Sequence, residues 1–346
     1  MENQTDRTNM QNAYSLAGLV TLSLRLVIGW TYFSAFWRRI ILENKLDPDV
    51  AGYVGEKFNH FLPNALGIQS LIEYLVTHPE LLFWAMILFT IIEGVVGLSI
   101  MFGFMTRLMS LGVMGLAGGI LLGSGWLGTT CLDEWQIGIL GVSGGFALLL
   151  AGGGKYSIDY WLTNKSVWIK NRKWLVWLTS GVLPVKEYAL NKVVLIGAVA
   201  IFVLSLFTNQ YFHNGVWGPL HNKSVKPKIE IPDAGVKDGA LTFDVYRVEG
   251  ADVYGSFLIG VTLTDESGNV IFNKNGEQLA RLPQTSINNE YVVKVKPGAH
   301  SLVIPLGAKA SVTLKDDSLR SLEKGNYKLV LTDISGITWE KEIVIP

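Results

Sequence analysis

Apolar stretches long enough to cross a bilayer constrain this chain before anything else does. They run over residues 14–37, 81–102, 105–125, 135–152 and 190–208, each close to the roughly 20 residues a spanning helix needs. Four fall in the first half and the fifth stands apart. Hydrophobic residues make up 49% of the chain and charged ones 17%, against about a quarter charged in an ordinary soluble protein, which predicts a membrane part joined to a soluble one. The polar segment 1–11 precedes an apolar run too long for a signal-peptide core, so the first span is expected to stay in the membrane.

Loop charge predicts the orientation. Residues 155–192 carry seven Lys and Arg, among them Lys155, Arg172 and Lys186, and also Trp161, Trp168, Trp174 and Trp177, a composition suited to a cytoplasmic membrane-surface segment. The N-terminus and Arg107 then lie inside, and residues 38–80, 126–134 and everything beyond 208 lie outside a prokaryotic cytoplasmic (inner) membrane. Past residue 208 the pattern changes. Leu241 to Tyr246, Tyr291 to Val295 and Tyr327 to Leu331 alternate with strand period between Gly, Asn, Asp and Pro turns. The expected architecture is an α-helical membrane bundle followed by an extracytoplasmic all-β sandwich: a four-helix domain over 1–154, a cytoplasmic interfacial linker over 155–189, a fifth membrane helix over 190–208 and a β-sandwich over 209–346.

Several classes fall away. Lys plus Arg and Asp plus Glu number 29 each, so no basic surplus argues for nucleic-acid binding. One cysteine excludes an intrachain disulfide and a multi-cysteine zinc site, and no His pair has ligand spacing, so no metal is expected.

That cysteine, Cys131, sits in a polar break between two spans. Thr130-Cys131-Leu132-Asp133 has the Thr-x-x-acid pattern of a helix start, with Thr130 as N-cap. There the peptide dipoles favour a thiolate and the free N–H groups attract anions. Cys131 either reacts there or packs as a small apolar residue. Arg38 and Arg39 lie beyond the first span, on the side where topology disfavours them; they form either an oxyanion site or a contact with lipid phosphates. Trp135 and His60 are further candidates at the outer face, His60 as a proton acceptor or as an ordinary loop residue. Arg25 and Glu93 are each about nine residues from the cytoplasmic end of their spans, hence at similar depth. They are expected to pair, either structurally or as contacts for a quinone together with Tyr32.

These residues resemble a known family. An Arg in the first span, Ile92-Glu93-Gly94 in the second, the Gly103-Phe104-Met105-Thr106-Arg107 turn of the wider DoxX group and the segment from Gly128 to Trp135 make the four-span half similar to DoxD. One span followed by an extracytoplasmic β domain is similar to DoxA. In that family these are two subunits of a thiosulfate:quinone oxidoreductase, here joined in one chain. The resemblance implies oxidation of thiosulfate to tetrathionate, membrane quinone as electron acceptor, and the lipid bilayer as surroundings; homo-oligomerisation is left open. The site roles are inferred from the residues: Cys131 as nucleophile; Arg38, Arg39, Thr130, Trp135 and His60 around thiosulfate; Arg25, Glu93 and Tyr32 around quinone. Two rivals remain, a permease for thiosulfate or a related small anion and a non-catalytic membrane assembly protein.

Overall fold

The apolar runs become helices. A computed structural model describes residues 4–50, 52–128, 133–165, 172–183, 185–251 and 256–345. Helix α1 (Gln4–Val20) passes through a 50° bend into α2 (Leu22–Phe36), which continues as a π-helical turn over Trp37–Leu42. Two short helices, α3 (Val54–Phe61) and α4 (Gln69–Val76), follow, then α5 (Pro79–Phe102), α6 (Thr106–Ser124) and α7 (Asp133–Ala151). Helices α8 (Ile158–Lys165) and α9 (Lys173–Leu178) lead to α10 (Glu187–His213). Four of these, α5, α6, α7 and α10, are long and apolar enough to cross a membrane; the bent pair ending at Leu42 brings the number to five when it is counted as one span. The first span therefore ends five residues later than the hydropathy pattern suggests, because the helix runs on through Arg38 and Arg39.

The chain divides into two compact units. One comprises Met1–Tyr53, Phe83–Gly125 and Asp133–His221; the other comprises Val54–Leu82, Trp126–Leu132 and Asn222–Pro346.

In the helical unit, α2 and α5 approach closely at small residues. A Cβ on Gly97 would lie 2.7 Å from the Gly29 carbonyl oxygen, and one on Gly29 would lie 2.7 Å from the Met101 nitrogen. Such contacts let apolar helices pack where no hydrophobic force drives them together. The Gly103 to Arg107 turn has its own logic. Gly103 has φ +65° and a Cβ there would meet Arg25 Nη1 at 2.8 Å, so only glycine fits. The start of α6 is capped from a distance: the buried Asp159 carboxylate of α8 accepts from the Met105 and Thr106 amides at 2.8 and 2.9 Å, and from the Thr106 and Ser180 hydroxyls. The segment expected as a linker is thereby stapled to the bundle. Helix α7 ends at Ala151, and Gly152 and Gly154, with φ +70° and +66°, take the left-handed backbone that stops a helix.

The second unit contains two antiparallel sheets. One holds β1 (Lys228–Glu230), β2 (Ala234–Lys237), β3 (Ala240–Glu249), β6 (Ile287–Asn289) and β9 (Lys309–Lys315). The other holds β4 (Ser256–Asp265), β5 (Val270–Asn275), β7 (Lys296–Pro297), β8 (Leu302–Ile304), β10 (Gly325–Asp333) and β11 (Thr338–Ile345). Paired inward residues, Phe243 with Val312 in one sheet and Leu331 with Val261 in the other, meet in a single core, the arrangement of a sandwich.

Two of the three strands read from alternation form, as β3 and β10. The third, 291–295, keeps the alternating burial of Tyr291, Val293 and Val295 but is not a strand. Its amides are taken by side chains instead: Val293 N donates to Asn59 Oδ1 at 3.1 Å and Val295 N to Asn289 Oδ1 at 2.7 Å. Asn59 also donates to the Gly307 carbonyl at 2.6 Å. Residues 54–82, which take in most of the outer loop expected over 38–80, are thus part of the β unit's framework. Tyr291 donates to Glu73 Oε1 of α4 at 2.9 Å; burial, reinforced by that carboxylate, pushes the Tyr291 hydroxyl well above its ordinary pKa.

Candidate functional site

Polar groups buried among apolar helices are costly and mark function more often than packing does. The helical unit holds such a group at Glu93, on α5, 3% exposed. Its partner is Arg39, in the π-turn that extends α2, and the two form a salt bridge. The expected pairing of Glu93 with Arg25 is corrected on this point. Arg25 lies in the first turn of α2, against Gly103 at the end of α5; fourteen residues of helix, about 21 Å at 1.5 Å per residue, separate Arg25 from Arg39.

Around the pair stand three further groups. Arg38 is exposed, its Nε donates to the Ser34 carbonyl at 3.3 Å, and it acts electrostatically on Glu93. Tyr32, 6% exposed, interacts electrostatically with Glu93, and its hydroxyl reaches across to Gly141 of α7, where a Cβ would meet it at 3.2 Å. Thr90 is one turn before Glu93 and so shares its face of α5. It is fully buried, and its hydroxyl has no hydrogen-bond partner among the described residues. Phe89 lies beside the Arg39 guanidinium, 5.9 Å from carbon to ring centroid.

The other expected residues that are described have partners of their own. Arg25 is 2% exposed and donates to the carbonyls of Gly153 and Tyr156, the latter at 2.5 Å. Trp135 Nε1 donates to Thr208 Oγ1 at 2.9 Å, tying α7 to α10. His60 belongs to the second unit, where it is buried in α3 rather than held in a loop. Thr130 and Cys131 lie outside the described residues. Nearby, at Gly128, the amide donates to Ser224 Oγ at 2.9 Å and the carbonyl accepts from Asn222 Nδ2 at 2.8 Å.

Sequence reading thus singled out Glu93 and Tyr32, paired Glu93 with Arg25 where the structure pairs it with Arg39, and did not single out Thr90. The spacing of Thr90 and Glu93, three residues apart in an apolar span, was the signal available for it.

Residues 20–186 match the family model described as TQO small subunit DoxD, and residues 212–342 match the one described as TQO small subunit DoxA. The chain joins a DoxD region to a DoxA region. Both families are subunits of thiosulfate:quinone oxidoreductase. The two matches take in the four-span bundle and the β sheets, with most of α10 lying between them. The DoxD-like region contains Arg39, Glu93, Tyr32 and Thr90 together, and the segment with Cys131.

Proposed function

We propose that this chain is a membrane-bound thiosulfate:quinone oxidoreductase that oxidises thiosulfate to tetrathionate at the outer face. The observation that supports it best is the cluster of buried Glu93, Tyr32 and Thr90 with half-buried Arg39 in a bundle matched by the DoxD family. Bound quinone supplies the oxidising power, taking up two electrons and two protons. The cluster suits a quinone carbonyl, because Thr90 offers a buried hydroxyl without a partner among the described residues, in apolar surroundings. Glu93 holds and passes on a proton, and Arg39 fixes the carboxylate while offsetting its charge. Arg25 has no part in this step.

On the sulfur side, the Cys131 thiolate and the terminal sulfur of thiosulfate are joined with loss of two electrons, forming a Cys-S-S-sulfonate. A second thiosulfate attacks the sulfur that bears the sulfonate, tetrathionate leaves and the thiolate returns. Arg38 is the guanidinium assigned to the anion, since Arg39 is engaged by Glu93. Thr130, adjacent to Cys131 in sequence, is proposed as an accessory contact at this step. In orientation, the N-terminus is inside and the β domain outside.

The decisive experiment is quinone reduction by purified protein with thiosulfate, with mass spectrometry of the Cys131 peptide. The expected result is thiosulfate-dependent reduction, a mass increase matching a bound thiosulfate sulfur unit, and loss of both in Cys131→Ser, by more than ~10³-fold in rate as for other covalent nucleophiles. Undiminished turnover in Cys131→Ser would remove the thiol mechanism. Thiosulfate uptake into sealed vesicles without any quinone would instead identify a permease.

A further inference from the structure

Arg25, released from the pairing expected of it, lies against a second feature of the helical unit. A groove of about 500 Å³ opens between the first turns of α2, the end of α5 and the start of α8. Leu26, Met101 and Phe102 form its apolar wall and Arg25 its polar element; Leu26 and Phe102 are exposed at 44% and 55%. Exposed Trp161 lines it as well, a side chain favoured at the level of lipid headgroups.

Arg25 and Arg107 are both buried, and Asp159 acts electrostatically on both. Asp159 directs its hydrogen bonds at the Met105 and Thr106 amides and at two hydroxyls. Arg25 spends its terminal nitrogens on the carbonyls of Gly153 and Tyr156, and its Nε is buried with no acceptor among the described residues. A buried guanidinium N–H left unpaired costs free energy unless something accepts from it. What fits an apolar trough with a cationic donor is an amphiphile with an acyl body and an anionic head.

We propose that this groove binds an anionic glycerophospholipid, with one acyl chain along Leu26, Met101 and Phe102 and the phosphate or ester oxygens toward Arg25. Basic pockets between membrane helices on the cytoplasmic side take such headgroups, and exposed Lys155 beside Tyr156 adds to the positive field. The lipid holds α2, α5 and α8 together at the end of the bundle remote from Glu93. The inference is independent of the redox chemistry proposed above.

The test uses the full chain in nanodiscs containing equal phosphatidylglycerol and phosphatidylcholine, released into native mass spectrometry. The expected result is one retained phosphatidylglycerol, favoured over phosphatidylcholine by about tenfold, the scale of one charge-assisted hydrogen bond. Arg25→Gln should bring the two lipids to parity. Because that variant also loses the bonds to Gly153 and Tyr156, Leu26→Trp serves as the second probe: it fills the trough, leaves those bonds intact and should abolish retention with an unchanged melting temperature in detergent. Equal retention of the two lipids by the unaltered protein would overturn the proposal, as would retention surviving both substitutions. Displacement of phosphatidylglycerol by a short-chain quinone would assign the groove to quinone instead.

Discussion

Several buried polar groups of the two units differ in what they serve. In the β unit they complete the backbone. Asn59 serves Val293 and Gly307; Asp333 takes four bonds from Ser256, Phe257 and Ser335; buried Arg247 donates to the carbonyls of Glu249, Ile304 and Ala251. In the helical unit, Thr90 and Arg25 each keep a buried polar atom with no partner among the described residues, and Glu93 lies paired with Arg39 in an apolar bundle. Asp159 is the helical unit's counterpart to the β pattern, since all its described bonds cap or brace neighbouring backbone and hydroxyls. A satisfied buried group is explained by the fold that surrounds it; an unsatisfied one costs about 1–3 kcal/mol and calls for a ligand.

The contrast can be broken most directly at Glu93. Glu93→Gln keeps the shape and a hydrogen bond to Arg39 but removes the exchangeable carboxylate proton. The expected loss in quinone reduction is ~10²-fold or more, the scale of a lost general acid or base, with the melting temperature within a few degrees of the unaltered protein. A variant that unfolds while the residual folded fraction keeps full turnover would make Glu93 a structural residue like those of the β unit.

Asn59→Ala tests the other side. It leaves the Val293 amide and the Gly307 carbonyl buried without their partner, at an expected cost of about 2–4 kcal/mol from two unmade hydrogen bonds. Thermal unfolding of the β unit reads this as a lowered transition. An unchanged transition would show that water replaces Asn59 freely and that residues 54–82 do not brace the sheets.

Much of this division was legible in the sequence. Hydropathy located the spans, alternation located β3 and β10, and an acid in an apolar span singled out Glu93. What was hidden depends on geometry that periodicity does not carry. The register of α2 against α5, with Gly29 at Met101, Phe33 at Gly97 and Phe36 at Gly94, sets Arg25 beside Gly103 and brings Arg39 to Glu93. A strand pattern over 291–295 is genuine as burial, yet its backbone partner is Asn59, more than two hundred residues earlier, and no local pattern announces so distant a bond. That Arg25 bonds to the carbonyls of Gly153 and Tyr156, more than a hundred residues later, was hidden for the same reason.

A smaller effect sharpens the comparison at Thr90. Thr90→Val removes the hydroxyl at nearly constant volume, and since no described group bonds to that hydroxyl, stability should hold or rise slightly. Quinone affinity should fall by ~3- to 10-fold, one neutral hydrogen bond, with the KM for thiosulfate unchanged. Thr90→Ser should restore it. Equal quinone affinity in the Val and Ser variants would leave the hydroxyl without a ligand.

The smallest expected effect belongs to the β unit and has a definite pH range. Asp316 accepts from Lys274 Nζ at 2.8 Å and from the Ser318 amide at the start of a 3₁₀ turn. The lysine hydrogen bond, then those from Ser318, push its carboxyl down to about 2. A pKa lower in the folded than in the unfolded chain contributes stability that is fully present above about pH 4, the unfolded value, and is lost as pH falls through 2. Both side chains are partly solvated, at 21% and 32% exposure, so the contribution should be below about 1 kcal/mol. Asp316→Asn keeps a capping oxygen for Ser318 and removes the charge. Its β-unit melting temperature should fall less steeply between pH 4 and 2 than that of the unaltered protein, while above pH 5 it should lie no more than a few degrees lower. Identical acid slopes would mean that the lysine contact contributes nothing in solution, and that the backbone bonds of Asp316 account for its place in the β unit.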